Sequence, residues 1–575
     1  MFVSTFKRRL IFVCLFMFLI FFLYLYFFYC IFLSDSIIIF FAIHPFNICK
    51  EYPNEWFIFK KFFIITAFFS NLIISNVLYS NIFNKSSQTS YNNYSPSNLS
   101  DLSLYLGNNT LNEPIYIPSS GLYQNILVTG TIGTGKTSSA LYPFTQQLIS
   151  YKCNSSAEKI GILILDVKGN YFKQVKKYCY DYNRINDLII IDLNNSTFYN
   201  PLDKPYLKAS VLANRLKTIL CLFSKNNSES YWLDKAEQVL AECIKLCRLY
   251  NNNYVTFLEI HNLITIPNYY SDKVKQLREL FISGAFSEKD CFSLLSSLNF
   301  FEKEFSQLDP RTLSILKSEI TLITSCFVSD FEIKNIFCPS KEKINFHGFS
   351  DLIKKGKIVV LNMNISEYKN LSKIIAAYLK LDFQSEILSQ LSHGSAKRTT
   401  AFISDEYQEY VTETDADFFS QSREAKCINI VSTQSYTSLL NTLNNKYAVQ
   451  TIIQNLVNKL WFRTDDIFTI EEAQKQIGKT DKLKYSKTIS ENSKETNYSF
   501  IAKSFTSVDS NISESINSYY NFDYIYDTNF FTQNLETFSC LGFISNGSYI
   551  CPPQKISLIP YFKKNLNSNG GYNEK

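Results

Sequence analysis

The feature that most restricts what this chain can fold into is the run Gly130-Thr131-Ile132-Gly133-Thr134-Gly135-Lys136-Thr137, a G-x4-G-K-T signature. It lies between the apolar stretch Asn125 to Thr129, read as a strand, and the helical stretch Ser138 to Ile149. A strand before and a helix after are the setting in which this signature grips nucleotide phosphates. The glycines let the backbone turn inward so that its amides point at phosphate oxygens, and the start of the helix adds partial positive charge. Gly130, Thr131, Ile132, Gly133, Thr134, Gly135, Lys136, Thr137 and Ser138 are therefore the expected nucleotide-binding residues. Lys136 is placed to reach the β and γ phosphates, and the Thr137 hydroxyl to ligate Mg²⁺, so ATP and Mg²⁺ are the expected cofactors.

Such a loop needs an acidic partner at the end of a nearby strand. Thr399 to Ser404 reads as that strand and ends in Asp405-Glu406. Asp405 is the candidate metal-side carboxylate and Glu406 the candidate base that polarises water. A second strand, Cys427 to Thr433, ends at Gln434, placed to sense the γ-phosphate, and Arg423 precedes it as a candidate arginine finger acting on a neighbouring subunit. An ordinary surface arginine is the alternative reading of Arg423. Further apolar runs, at Ile160 to Leu165, Leu188 to Ile191, Lys357 to Leu361 and Lys459 to Phe462, alternate with helical stretches. That alternation predicts a mostly parallel sheet covered on both faces, with the phosphate site at the carboxyl ends of its strands.

The chain is long enough for several domains, at 575 residues, of which 46% are hydrophobic and 19% charged, so wholesale disorder is excluded. With 57 basic and 51 acidic residues it is no bulk polycation, and any nucleic-acid contact has to be local. The 14 cysteines include no C-x2-C pair and the four histidines stand apart from them, which argues against a zinc site.

The N-terminus has a different texture. Leu10 to Leu33 is apolar throughout apart from tyrosines and cysteines, long enough to cross a bilayer and too long for a signal peptide. A second run, Phe62 to Phe83, carries Asn71, Asn76 and Asn81 as one polar stripe. Lys7, Arg8 and Arg9 ahead of the first run predict a cytoplasmic N-terminus, and two crossings return the chain to that side. The expected organisation is a membrane anchor over 1–84 with helices at about 10–33 and 62–83, and a Ser/Asn/Tyr-rich linker over 85–112. A first nucleotide-binding segment over 113–205, an all-α insertion over 206–345 and a second nucleotide-binding segment over 346–562 follow. Within the last, 484–527 reads as a loose polar insertion, and 563–575 as a polar tail.

The landmarks in chain order are the two N-terminal apolar runs, the phosphate loop with Pro143 on its helix, Asp166-Val167-Lys168-Gly169, Asn200-Pro201-Leu202, Tyr231-Trp232 with Ala236, Asp405-Glu406, Arg423, Gln434-Ser435 and Asn455 to Phe462. In that order they resemble the type IV secretion coupling proteins, the TraG/TraD family of conjugative ATPases. Phe543 to Phe562, with a Gly-x4-Pro turn and a terminal Tyr-Phe, looks like the family's closing strand. The resemblance implies a RecA-like P-loop NTPase domain with an all-α insertion behind two transmembrane helices. It implies a multi-pass protein of the inner or plasma membrane whose ATPase domain is cytoplasmic, assembled as a homo-hexamer. Its ring would drive single-stranded DNA, or a relaxase-DNA complex, toward secretion channel proteins. Two other readings use the same loop: a nucleotide-switched membrane adaptor with little hydrolysis, and an FtsK- or HerA-like DNA translocase.

Overall fold

A computed structural model describes residues 101–563 apart from 167, 194–195, 224–229, 285, 393–397, 492–497, 500–503 and 506–511, together with Lys50, Pro53, Asn54, Phe57, Lys60, Lys61 and Ile65. The chain divides into two compact units, Met1–Asn92 and Asn93–Lys575. In the first, the described residues are helical and exposed, and the Lys61 ammonium lies 4.5 Å from the centre of the Phe57 ring. Both expected membrane helices lie outside the described residues, Ile65 excepted. Among the described residues no single helix is long and apolar enough to cross a membrane.

The second unit is built on an 11-stranded sheet. In chain order its strands are β1 (Ser103–Asn109), β2 (Pro114–Pro118), β3 (Ile126–Thr129), β4 (Gly161–Leu165), β5 (Leu188–Ile191), β6 (Ile358–Leu361), β7 (Thr400–Ser404), β8 (Cys427–Thr433) and β9 (Asn458–Phe462). A separate pair, β10 (Lys479–Glu491) and β13 (Ile512–Tyr524), encloses the two-residue strands β11 (Tyr498–Ser499) and β12 (Ser504–Phe505). Then β14 (Ser539–Phe543) and β15 (Gln554–Ser557) complete the large sheet in the order β2-β1-β15-β14-β9-β3-β8-β7-β4-β6-β5.

From β9 to β5 neighbouring strands are parallel. Their residues are mostly apolar and, in every strand but the edge strand β5, buried along their whole length, as a strand covered on both faces must be. Ile126, Val128, Ile162, Ile164, Ala401, Ile403, Ile428 and Ile430 join the core on one side. Leu127, Leu163, Leu165, Phe402 and Val431 join the other, which is continuous with the helical insertion. The period-2 switch from one core to the other is the pleat acting on a sequence of β-branched and aliphatic residues.

The insertion sits between β5 and β6, and its described residues form helices joined by short turns, with no strand among them. Its main helices are Ala209–Cys221, Ser230–Tyr250, Phe257–Thr265, Tyr269–Ile282, Glu288–Asn299 and Pro310–Val328, the last followed at 94° by Phe331–Phe337. Side-chain caps set several starts: Thr256 accepts from the Glu259 amide, and Ser287 and Asp290 form a reciprocal box.

Three expectations are corrected. The linker segment 85–112 contains β1, whose Leu104 and Leu106 are buried while Tyr105 between them is half-buried. The loose insertion at 484–527 contains most of a regular ribbon, β10 and β13, in unbroken antiparallel register from Lys479↔Tyr524 to Glu491↔Ile512. The closing strand expected from Phe543 onward is two strands: β14 ends at Phe543, a turn at Gly547 with φ of 98° follows, and β15 runs back antiparallel to it.

Candidate nucleotide site

Because β9, β3, β8, β7 and β4 run parallel, their carboxyl ends gather at one edge. The loop after β3, the acidic pair after β7, Gln434 after β8, Asp166 after β4 and Arg463 after β9 share that edge. The strand order puts β8 between β3 and β7, so Gln434 arrives between the glycine loop and the carboxylates.

The loop itself is pinned from behind. Thr131 donates to the Arg463 carbonyl through its amide at 3.0 Å and its hydroxyl at 3.1 Å, and the buried Thr134 hydroxyl donates to the Thr131 carbonyl. Gly135 has φ of 95°, and a Cβ there would lie 2.4 Å from the Phe538 ring, so glycine is demanded both by the backbone and by space. After it the chain enters a π-helical turn, Lys136–Leu141, which continues as the helix Tyr142–Ser150 with Pro143 tolerated near its start. Lys136 is buried and its ammonium donates to the Gly130 and Thr131 carbonyls. Burial draws that ammonium below its ordinary pKa, against the pull of Asp405 and Glu406.

The acidic pair meets this loop directly. Thr137 Oγ1 donates to Asp405 Oδ2 at 2.9 Å, across 268 positions of sequence. Asp405 is almost fully buried, and burial raises its pKa while the Lys168 ammonium at 3.5 Å opposes that. The hydroxyl and carboxylate oxygens of Thr137 and Asp405 are hard donors of the kind Mg²⁺ takes, so the pair suits that ion.

Glu406 has φ of 49°, an uncommon conformation for a residue with a side chain. Its carboxylate is held by Lys168 Nζ at 2.5 Å, Gln408 Nε2 at 2.6 Å and Gln434 Nε2 at 3.1 Å. Burial pushes its pKa up, but those three donors outweigh burial and leave the carboxyl below its ordinary value. Gln408 is fixed in turn by the Thr433 hydroxyl at 3.0 Å. Asp166 accepts from the amides of Lys168, Asn170 and Tyr171, shaping the loop that carries Lys168 to the pair.

Thus Lys136, Thr137, Asp405, Glu406 and Gln434, expected at one site, stand together. Arg423 does not join them. It is exposed in the turn before β8, at the amino end of a seven-residue strand, about 23 Å of strand away from the loop edge. Ile132 is 80% exposed at the tip of the loop. Sequence reasoning assigned no role to Lys168 or Gln408. Lys168 follows a strand-ending acid in the Asp-x-Lys-Gly stretch, which was the available signal; Gln408 had none beyond its nearness to Glu406.

No protein-family model and no curated protein matches the sequence. Solved structures do match. The plasmid coupling protein TrwB in complex with ADP and Mg²⁺ aligns with a TM-score of 0.51 at 13% identity, covering 80% of this chain and 91% of that one. The trigonal form of the bacterial conjugative coupling protein TrwBdeltaN70 in complex with sulphate gives 0.51 at 14% identity, covering 79% and 89%. TrwB in complex with the non-hydrolysable GTP analogue GDPNP gives 0.51 at 13%, covering 77% and 88%. The backbone likeness falls on the same class of protein as the motif order read from the sequence: this chain has the fold of the conjugative coupling protein TrwB.

Proposed function

We propose that the chain is a membrane-anchored ATPase that couples DNA, or DNA bearing a linked protein, to a type IV secretion channel and drives its passage. The observation that carries this reading is the 2.9 Å hydrogen bond from Thr137 to Asp405 with Glu406 alongside, which joins the phosphate loop to its acidic partners. In this reading the amides of the glycine loop and Lys136 hold the phosphates, and Thr137 and Asp405 hold Mg²⁺, whose charge offsets that developing on the transferred phosphoryl group. Glu406, kept anionic by Lys168, Gln408 and Gln434, accepts the proton of the attacking water. Gln434, bonded to Glu406 from the strand between loop and acid, ties the position of that base to the γ-phosphate.

The neighbours support nucleotide use: TrwB is bound to ADP and Mg²⁺ in one structure and to a GTP analogue in another. Membrane attachment rests on the two N-terminal apolar runs, and a hexameric ring on the family resemblance. Arg423, exposed at the amino end of β8 and so away from this chain's own loop edge, is assigned to a neighbouring subunit's nucleotide.

The test uses the full chain in detergent. Glu406→Gln is expected to keep ATP affinity within about twofold and to lower turnover at least about 10²-fold, the usual worth of a positioned base. Equal turnover in the variant and the parent sinks the assignment of the base, and negligible turnover in both favours the adaptor. Stimulation of the parent by duplex DNA alone favours the FtsK- or HerA-like reading.

A further inference from the structure

The C-terminal segment of the chain returns to the phosphate loop at two points. The Phe538 amide donates to the Thr134 carbonyl at 3.0 Å, and the Tyr561 amide donates to the Ser138 carbonyl at 2.9 Å. Between them three aromatic rings gather. Phe538 presses its ring on Gly135 and holds φ of 65°, a conformation that is strained for a bulky residue and persists only where surrounding structure enforces it. Phe562 stands 5.9 Å from Phe538 and 5.5 Å from Tyr561, in both cases edge to face. Tyr561 in turn meets Tyr142, one turn along the loop's helix, at 5.1 Å.

None of Phe538, Tyr561 and Phe562 belongs to the three apolar cores of the molecule. Phe562 is 59% exposed and Tyr561 43%, beside the most polar edge of the sheet. Packing does not explain why Tyr561 is tied by its amide to the helix of a phosphate loop while its own ring and that of Phe562 beside it are left open to solvent.

A nucleotide in this loop has two ends. Its terminal phosphate must face Lys136, Thr137 and the pair Asp405 and Glu406, where the loop brings cation, hydroxyl and carboxylates together. Its base must then leave in the other direction, past Ser138, whose carbonyl is the anchor of Tyr561. We infer that Phe562, supported by Phe538 and Tyr561, is the platform on which the nucleobase stacks. This rests on the phosphate-loop reading above and adds the base subsite to it.

Phe562 offers a π face and no hydrogen-bonding atom, so it reads a ring and not the pattern of donors and acceptors on its edge. Purine triphosphates are therefore held alike: ATP and GTP are expected to bind within about threefold of one another, since stacking is tolerant of base identity.

The experiment measures affinities of the full detergent-solubilised chain for ATP, GTP and inorganic tripolyphosphate by isothermal titration in Mg²⁺. Phe562→Ala is expected to weaken ATP and GTP about tenfold, the usual scale for losing one stacked base, and to leave tripolyphosphate unchanged. Phe562→Trp, which keeps a π face, is expected to retain parental affinity, and a thermal melt of both variants reports whether the segment still docks. Unchanged ATP affinity in Phe562→Ala, or an equal loss for ATP and tripolyphosphate, overturns the platform. Failure of the parent to bind either ATP or tripolyphosphate instead overturns the phosphate-loop reading on which it stands.

Discussion

Lys168 gives the site its charge balance. Despite burial, Asp405 and Glu406 hold its ammonium above the ordinary value, and it in turn keeps Glu406 below the ordinary carboxylate range. The consequence for pH is directional. A depressed Glu406 remains anionic to lower pH than an ordinary glutamate, so the base form is lost only when pH falls through that depressed value. Lys168→Ala removes the donor at 2.5 Å and raises the Glu406 pKa. The acid limb of the kcat/KM profile for ATP hydrolysis is expected to move to higher pH, with the plateau lowered as well; a profile with an unmoved acid limb removes Lys168 from this role. At this scale the sequence was legible where chemistry is written locally. The glycine loop and a strand ending in Asp-Glu announce themselves by spacing. The grip of Lys168 and Gln408 on Glu406 was not legible, because it depends on which loop ends beside which strand, and strand order is not a local property.

The helix Asn370–Ser392 runs through the interior between the sheet and the insertion, and its central residues from Ile374 to Gln384 are buried all round. Polar side chains in such a place need fixed partners. Lys380 donates to Asp415 at 2.6 Å, to the Tyr410 carbonyl at 2.7 Å and to Thr412 at 3.0 Å, tying the helix to the segment that follows Glu406. Two positions on, Asp382 receives Lys204 and Arg215 at 2.9 Å each and the Tyr199 hydroxyl at 3.0 Å, tying the same helix to the start of the insertion. Burial pulls Lys380 below its ordinary pKa, with Asp415 opposing. Lys380→Met leaves the buried Asp415 carboxylate without its cation and is expected to cost about 3–5 kcal/mol of stability, whereas Lys380→Met with Asp415→Asn, which removes the charge and keeps an acceptor for Gln384, Tyr407 and the Thr412 amide, recovers part of it. Urea unfolding of the full chain followed by tryptophan fluorescence checks both. Element by element, the parallel strands were legible because each is a short, mostly apolar run bounded by turn residues. β1 was not, since two buried leucines in a Ser- and Asn-rich stretch give only a short alternation. β10 and β13 were not either, since strands that bury little carry no strong apolar period.

On the scale of the whole unit, the parallel sheet holds the chemistry while β14, β15, β1 and β2 extend it antiparallel beyond β9, and the insertion enters between β5 and β6. The ribbon of β10 and β13 stands outside that plan and, among the described residues, its strands pair only with each other. On one face Leu483, Tyr485, Ile489, Ile516, Tyr520 and Phe522 are all exposed, and on the other Lys482, Lys484, Ser486, Asn517 and Tyr519 alternate with them. Its two ends are neighbours, since the Ile525 amide donates to the Gly478 carbonyl at 3.2 Å. Replacing 480–523 by Asn-Gly, the turn that suits a two-residue hairpin between Lys479 and Tyr524, is therefore expected to leave nucleotide affinity unchanged and the melting temperature within about 2 °C. A collapse of either would mean that the ribbon is part of the framework. If it is not, the stretch from 479 to 524 is a side branch whose growth or loss re-threads nothing. Among descendants of a common motor, this is where lengths should drift freely while the spacing from glycine loop to acidic pair, and from there to β9, stays put.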